Sequence, residues 1–369
     1  MPGEFEIGPI RPPSEADSLL LRITRNCPWN KCKFCRIYRN ESFSTRSFEE
    51  IKADIDQVAL YRNNIRNGLM ENIYSLSEET RERYSYIMQW ISCGEESVFL
   101  QDANTMVLSF DKLREILTYL RETLPWVKRV TAYGRVDSIN RFSAQQLADL
   151  KGCGLDRIHS GFESGCDKVL ELINKGYSKA QEIEAGQKVK TSGIELSVYF
   201  MPGVGGKALS DNNAFETADV INRINPDFVR IRTFVAQKGT EWYDESAAGQ
   251  IIECSDYEKM LELRKMIEHI DGAHGYLFSD HIINLFEDVN GNMTADKGRM
   301  LSVFAAFERL SDDEKRLYQA ARRMGMVGAV SHIEQLSVEQ MEQVETHLLE
   351  HEDAEEFEAF LSSLLRRYI

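Results

Sequence analysis

The sequence predicts an α/β protein built on a partial (β/α)6 TIM-like barrel, with a C-terminal, mostly helical region. Three observations carry this. Six short apolar runs of strand length alternate with helical stretches up to about Phe234, and such alternation implies parallel strands joined by crossover helices. Within the intervening stretches, apolar residues recur at helical intervals. After Phe234 the alternation stops and helical patterns dominate. An open doubly wound sheet satisfies the same pattern, and in both arrangements chemistry gathers at the C-terminal ends of the strands.

The elements follow in order. Residues 1–17 carry prolines and read as an arm. "LLLRIT" (Leu19 to Thr24) is the first strand and runs into the loop "TRNCPWNKCKFCRIY". "STRSFEEIKADIDQVALY" is a helix: Ser47 and Glu50 have capping-box spacing, and Phe48, Ile51, Ile55 and Val58 form its apolar face. The stretch from Arg62 to Ser92 is long for a connection and contains the helical "RERYSYIMQWI". It reads as an insertion of about 62–95, either a lid or an extra packing helix.

"SVFLQDA" is the second strand, with a helix over Asp111 to Leu124; "VKRVTAY" is the third, with a helix over Ser143 to Lys151. "LDRIHSGF" is the fourth, followed by helices Asp167 to Leu172 and Lys179 to Thr191. "IELSVYFMPG" is the fifth, with a helix over Asp211 to Arg223, and "PDFVRIRTF" is the sixth. Beyond lie a helix over Ser255 to Ile270, a short strand in "GYLFSD" and further helices. The expected division is an arm 1–17, a core 18–235 and a helical region 236–369. No lysine or arginine lies between Arg323 and Arg366, where glutamates abound. That stretch reads as an acidic, solvated appendage rather than a partner-binding tail.

A hydrophobic content of 43% with 28% charged residues is that of a globular chain. No run has the length of a membrane span, and the start lacks the pattern of a signal peptide, so the expected location is the cytoplasm. Seven cysteines, an odd number, argue against a disulfide-stapled secreted protein. The net charge of −15 disfavours a broad phosphate-tracking surface, so nucleic acid is a poor fit and a small-molecule or lipid-like substrate a better one.

The cysteine loop carries the chemistry. Thiolates suit both iron–sulfur clusters and zinc. Cys27, Cys32 and Cys35, on one loop after a strand, can hold three irons of a [4Fe–4S] cluster and leave the fourth open to an outside ligand. Zinc needs a fourth donor from elsewhere, and the first histidine in the chain is His159.

With Phe34 beside Cys35, this loop resembles the three-cysteine motif of the radical S-adenosylmethionine (SAM) superfamily. The blocks "FLQDANTMVL", "VTAYGRVDSI", "HSGFESGCDKVL" and "YFMPGVGG" look like its anaerobic coproporphyrinogen dehydrogenase-like, Elongator-like and cobalamin-type branch. The resemblance covers about Leu19 to Phe234. It implies that Cys27, Cys32 and Cys35 ligate the cluster, that SAM chelates the open iron, and that Phe34 sits against cluster and adenine. It implies that Gln101, Asp102, Ala103 and Asn104 occupy the place of the family's Gly-Gly-Glu motif, whose backbone receives the SAM amino group. Glu163 then contacts the ribose or methionine part, and Pro202 and Gly203 form the turn against adenine, where a missing side chain admits close approach.

Two features depart from the family pattern. The first spacing is Cys-x4-Cys rather than Cys-x3-Cys, which should bulge the loop. Only about twenty residues precede the loop, and cobalamin chemistry is therefore not expected.

Other residues carry a functional and a structural reading together. Arg135, after the third strand, either reaches SAM or a substrate or forms a salt bridge. Arg230 and Arg232 alternate along the sixth strand and, if inward, call for carboxylates or an anionic substrate. His281 is either an acid–base group or a packed histidine behind a helix cap at Asp280. Tyr199, Tyr133 and His159 read as hydrogen-bonded core groups, although a tyrosine near a radical can donate hydrogen. Cys93, Cys153, Cys166 and Cys254 are scattered and read as ordinary thiols.

The implied activity is reductive cleavage of SAM to a 5′-deoxyadenosyl radical that abstracts hydrogen from a small organic substrate, changing its redox state or rearranging it. A lipid, tetrapyrrole or peptide substrate is the alternative, and a zinc-binding or electron-relay protein is the alternative of another class. A reductant such as flavodoxin or ferredoxin is the expected partner.

Overall fold

The computed structural model describes residues 5–69 and 76–368; part of the expected insertion therefore lies outside the described residues. The strands are β1 (Leu19–Arg22), β2 (Thr24–Arg25), β3 (Ser44–Thr45), β4 (Ser97–Gln101), β5 (Arg129–Tyr133), β6 (Arg157–Glu163), β7 (Glu195–Phe200), β8 (Phe228–Ile231), β9 (Tyr276–Phe278) and β10 (Gly291–Asn292). The helices are α1 (Phe48–Arg66), α2 (Glu78–Ser92), α3 (Phe110–Thr123), α4 (Val136–Ile139), α5 (Ala144–Gly152), α6 (Asp167–Leu172) and α7 (Lys179–Thr191). They continue with α8 (Gly206–Ile224), α9 (Glu241–Ala247), α10 (Asp256–His269), α11 (Lys297–Glu308), α12 (Asp312–Arg323), α13 (Val338–Glu350) and α14 (Ala354–Leu365).

The fold is the expected α/β class, parallel strands each followed by helix, with a mostly helical C-terminal region. Strand order in the main sheet is β1-β4-β5-β6-β7-β8-β9-β10, and β2 pairs with β3 separately. The chain divides into two compact units, the described residues of 1–30, 38–160 and 184–196 in the first and of 31–37, 161–183 and 197–369 in the second.

In the first unit β1, β4, β5 and the start of β6 pair in parallel. Their side chains Leu19, Leu21, Val98, Phe99, Leu100, Val130 and Ala132 are fully buried. Ile51, Ile55 and Val58 of α1 and Ile116, Leu117 and Leu120 of α3 are buried with them, each contributing about 2 kcal/mol by removal from water. The capping box at α1 forms as expected: Ser47 Oγ accepts from Glu50 N at 3.1 Å, and Ser47 N donates to Glu50 Oε2 at 2.7 Å. The arm is fastened down. Phe5 is buried against Tyr61 and Tyr86, and Gly8 N donates to Gln101 Oε1 at 2.7 Å.

In the second unit β7, β8 and β9 are parallel, and β10 closes the edge antiparallel to β9. The strand–helix alternation therefore does not stop at Phe234: after α9 and α10 a seventh parallel strand, β9, joins β8. Helix α8 begins at Gly206, five residues before the expected Asp211. No helix starts at Asp280; turns and bends occupy residues 281–285. Among the described residues, no helix is long and apolar enough to cross a membrane.

Candidate functional site

Each unit holds a share of the residues singled out by sequence. In the first, the cysteine loop leaves β2 through two asparagines in the left-handed region, Asn26 (φ 66°) and Asn30 (φ 46°), a conformation asparagine tolerates better than most residues. Asn30 lies within the Cys-x4-Cys stretch. Its backbone N–H points at Cys27 Sγ, 3.4 Å away, and its side-chain amide donates to Tyr38 O at 2.6 Å. Asn26 Nδ2 donates to Ser42 O at 2.7 Å.

At the end of β4, Gln101 and Asp102 are fully buried and joined by a cis peptide bond. Both side chains are engaged. Gln101 binds the arm, and Asp102 Oδ2 accepts from Arg22 Nη2 at 2.9 Å while its Oδ1 accepts from the Tyr38 hydroxyl. Burial, then the Asp102 carboxylate, pushes the Tyr38 hydroxyl far up, so it stays a neutral donor. Ala103 is half-buried. Asn104 is buried; its Oδ1 accepts from Arg135 N at 3.0 Å and its Nδ2 donates to Ser138 Oγ at 2.8 Å. The Arg135 guanidinium donates to Asp137 at 3.0 Å and lies 5.1 Å from the centre of the Trp29 ring, inside the cysteine loop. His159 is buried with Nε2 3.1 Å from Glu15 Oε1, and Tyr133 packs edge-on to Phe99.

In the second unit Cys32, Phe34 and Cys35 are half-buried. Cys35 N donates to Cys32 O at 3.2 Å, Lys33 N donates to Ile173 O at 3.0 Å, and Trp242 N donates to Lys33 O at 3.1 Å. Phe34 rests on the cluster of Cys166, Val169, Ile173, Val204, Phe234 and Trp242. Glu163 ends β6 at φ 68°, and its Oε1 accepts from Lys175 Nζ at 2.9 Å. A Cβ on Gly161 would stand 2.3 Å from that same Oε1, so glycine is what lets the carboxylate fold back there. The Lys175 ammonium also lies 5.6 Å from the centre of the Phe34 ring. Sequence reasoning missed Lys175. A lysine between two short helices has no spacing signal, and only its burial, at 5% exposure, marks it.

Pro202 and Gly203 are buried at the turn after β7, with Gly203 at φ 89°. Tyr199 is half-buried on β7, opposite Arg230 of β8. Arg230 lies 3.5 Å from Asp280 and 5.0 Å from the Phe278 ring centre, so it has structural partners. Arg232 is half-buried one residue past β8. His281 sits in a turn held by the buried Arg322, which donates to the carbonyls of Ile282 and Asn284. Burial, helped by Arg232 and Arg322, lowers His281 to about 4, leaving it neutral near pH 7. Asp280 caps no helix.

None of the seven cysteines is in a disulfide. Cys254 is pushed up to about 12 by burial and by Glu262, which makes it a poor thiolate ligand. The loop's donor set fits a cluster with one open iron. It offers three half-buried cysteines and an amide N–H aimed at one sulfur, with no histidine or carboxylate anywhere in residues 26–40.

The chain is 28% identical over 109 residues to tRNA uridine(34) acetyltransferase of Methanocaldococcus infernus, covering 29% of this chain and 20% of that protein. It is 31% identical over 83 residues to tRNA-2-methylthio-N(6)-dimethylallyladenosine synthase of Syntrophus aciditrophicus, covering 22% of this chain and 18% of that one. The chain thus spans about a fifth of the length of the curated relatives it matches. Among solved structures, coproporphyrinogen III oxidase of Escherichia coli aligns at 15% identity and a TM-score of 0.43, over 68% of this chain and 51% of that one. The description "Radical SAM superfamily" matches residues 21–218, more than half of the chain, and the chain belongs to that superfamily, whose enzymes carry out SAM-dependent radical chemistry.

Proposed function

We propose that Cys27, Cys32 and Cys35 hold a [4Fe–4S] cluster whose fourth iron takes SAM, and that the enzyme removes hydrogen from a small organic substrate to oxidise or rearrange it. When bound, the cluster and SAM supply one-electron cleavage and a carbon-centred radical. The observation that carries the reading is the three-thiol loop with no fourth donor of its own.

The chain's own residues then bind and orient. In this reading Glu163 accepts hydrogen bonds from hydroxyl or ammonium groups of SAM, and Lys175 beside it donates to its carboxylate. Phe34 gives cluster and adenine an apolar wall. The backbone of residues 101–104 receives the SAM amino group, the side chains of Gln101, Asp102 and Asn104 being engaged elsewhere. Pro202 and Gly203 supply the turn against adenine, the Gly203 N–H itself being engaged with Glu262. Arg135, Tyr199, Arg232 and His281 are assigned to the substrate, with His281 acting as a neutral group.

We assign the catalytic core to 18–235, with the insertion at about 62–95, the arm to 1–17 and the helical region to 236–369. A cytoplasmic location and a flavodoxin- or ferredoxin-type reductant complete the reading. A lipid, tetrapyrrole or peptide substrate is its variant. Two curated relatives are named for tRNA modification, but their short overlap and the net charge of −15 favour a small substrate.

Anaerobic reconstitution tests it. About four irons and four sulfides per chain, with 5′-deoxyadenosine formed from SAM only when dithionite is present, are expected. Zinc in the loop with no SAM cleavage would sink the reading. Alanine at Cys32 should abolish both cluster and cleavage, whereas alanine at Cys93, Cys153, Cys166 or Cys254 should leave the iron content unchanged.

A further inference from the structure

The turn after β7 and the turn after β6 are tied together by one buried carboxylate from a helix outside both. Glu262 of α10 accepts at Oε1 from Gly203 N at 2.9 Å and from Asn213 Nδ2 at 2.6 Å, and at Oε2 from Ser210 Oγ at 2.6 Å. Asn213 of α8 carries the link onward. Its Oδ1 accepts from Ser164 Oγ at 2.5 Å, and Ser164 Oγ accepts from Cys166 N at 3.0 Å. Gly165 N donates to Thr217 Oγ1, one helical turn further along α8, at 2.9 Å.

Most of this chain of bonds is buried: Ser164, Asn213, Thr217 and Glu262 are each at most 3% exposed, with the half-buried Ser210 at its edge. Its two ends are the amide of Gly203 and the turn that begins one residue after Glu163. The close fit continues beside it, because a Cβ on Gly203 would stand 2.8 Å from Lys259 Cγ of the same helix α10.

We propose that Glu262 is a positioning residue for SAM, fixing through Gly203 and Asn213 the relative placement of the two turns that receive it. This rests on the reading that those turns contact SAM. The physical argument concerns where a backbone amide points. At φ 89° Gly203 occupies a region open mainly to glycine and therefore soft. A carboxylate accepting its N–H removes that softness before the ligand arrives. Once ionised, the carboxylate is an acceptor with no donor of its own and suits three converging donors; an amide in its place would set an N–H against one of them. A merely structural Glu262 would hold α8 to α10 and leave SAM affinity alone.

Glu262→Gln tests this in the reconstituted full chain, with SAM binding measured by equilibrium dialysis alongside iron content and thermal melting. The expected result is wild-type iron and sulfide, a near-wild-type melting temperature and a Kd for SAM raised about tenfold. In turnover, KM for SAM rises while kcat at saturation stays within about twofold, the mark of lost ground-state positioning. An unchanged Kd in a folded, cluster-bearing variant overturns the proposal and leaves the function standing. A wild-type chain that holds its cluster but binds no SAM overturns both. Where Glu262→Gln does not fold, Ser210→Ala carries the test, because it removes one donor from the same carboxylate. A rise in Kd of about threefold supports the proposal, and no change overturns it.

Discussion

Lys175 and Glu163 form an ion pair with Nζ 2.9 Å from Oε1, and the Lys175 ammonium also faces the Phe34 ring, 5.6 Å from its centre. One largely buried cation therefore touches both the acid that ends β6 and the aromatic residue beside Cys35. The acid and the aromatic lie far apart in sequence, so the lysine is what makes them neighbours in chemistry. The Glu163 side chain is itself only 14% exposed, so the pair is held away from bulk water.

Replacing this lysine separates charge from packing. Lys175→Met keeps the apolar stem against Phe34 and removes the ammonium. SAM affinity should fall about tenfold to a hundredfold, with the cluster's iron content unchanged. Lys175→Arg should recover most of the loss. Equilibrium dialysis of the three reconstituted proteins is the check, and equal affinities would show that the pair serves only the fold.

Asp102 should behave as a structural residue. Its carboxylate is buried against Arg22 and the Tyr38 hydroxyl. Asp102→Ala leaves a guanidinium and a buried hydroxyl short of an acceptor, and stability should drop by about 2–4 kcal/mol in urea unfolding. The Tyr38→Phe change, which removes only one donor, should cost about 1 kcal/mol. A larger loss for Tyr38→Phe than for Asp102→Ala would contradict this account.

Much of this was legible in the sequence where local pattern decides. The strands entering the site are short apolar runs, the cap of α1 is a four-residue signature, and the three cysteines are close in the chain. What was not legible depends on distant pairing. The short strand expected in "GYLFSD" is β9, but its parallel place beside β8 is fixed by pairing that three residues with an exposed tyrosine do not announce. The start of α8 is hidden because Gly205 stands at the N-cap with no capping side chain. His281 follows an aspartate that resembles a cap, but buried Arg322 claims the local carbonyls and the segment turns instead. Lys175 and Glu262 lack any spacing signal, since each acts on residues brought to it only by folding.

Glu182 offers a test of burial energetics. It is fully buried, and neither carboxyl oxygen has a hydrogen-bond partner among the described residues. Burial, only partly opposed by Lys175, pushes its pKa well above the usual carboxylate range. With the folded-state pKa raised, the unfavourable contribution is absent below about pH 4.5 and grows as pH rises toward the folded value. Glu182→Met should therefore stabilise the protein by about 1–2 kcal/mol near neutral pH, and the gain should shrink in acid. A variant less stable than wild type near pH 7 would mean that the carboxyl is needed where it stands.

His281 predicts the opposite slope. Its ring is lowered to about 4 by burial and by Arg232 and Arg322, whereas in the unfolded chain it titrates near 6.5. Between those values the unfolded chain binds a proton that the folded chain refuses. Stability is whole above about pH 6.5, falls as pH drops through the window, and reaches its floor below about pH 4. The loss should amount to about 2 kcal/mol after allowing for the ring's partial exposure. Urea unfolding of wild type and His281→Gln, at about pH 8 and about pH 5, isolates it from Glu182 and Glu262, whose carboxyls burial pushes up and which therefore slope the other way. The variant should lose less stability on acidification than wild type. Parallel losses in the two proteins would place the proton on another group.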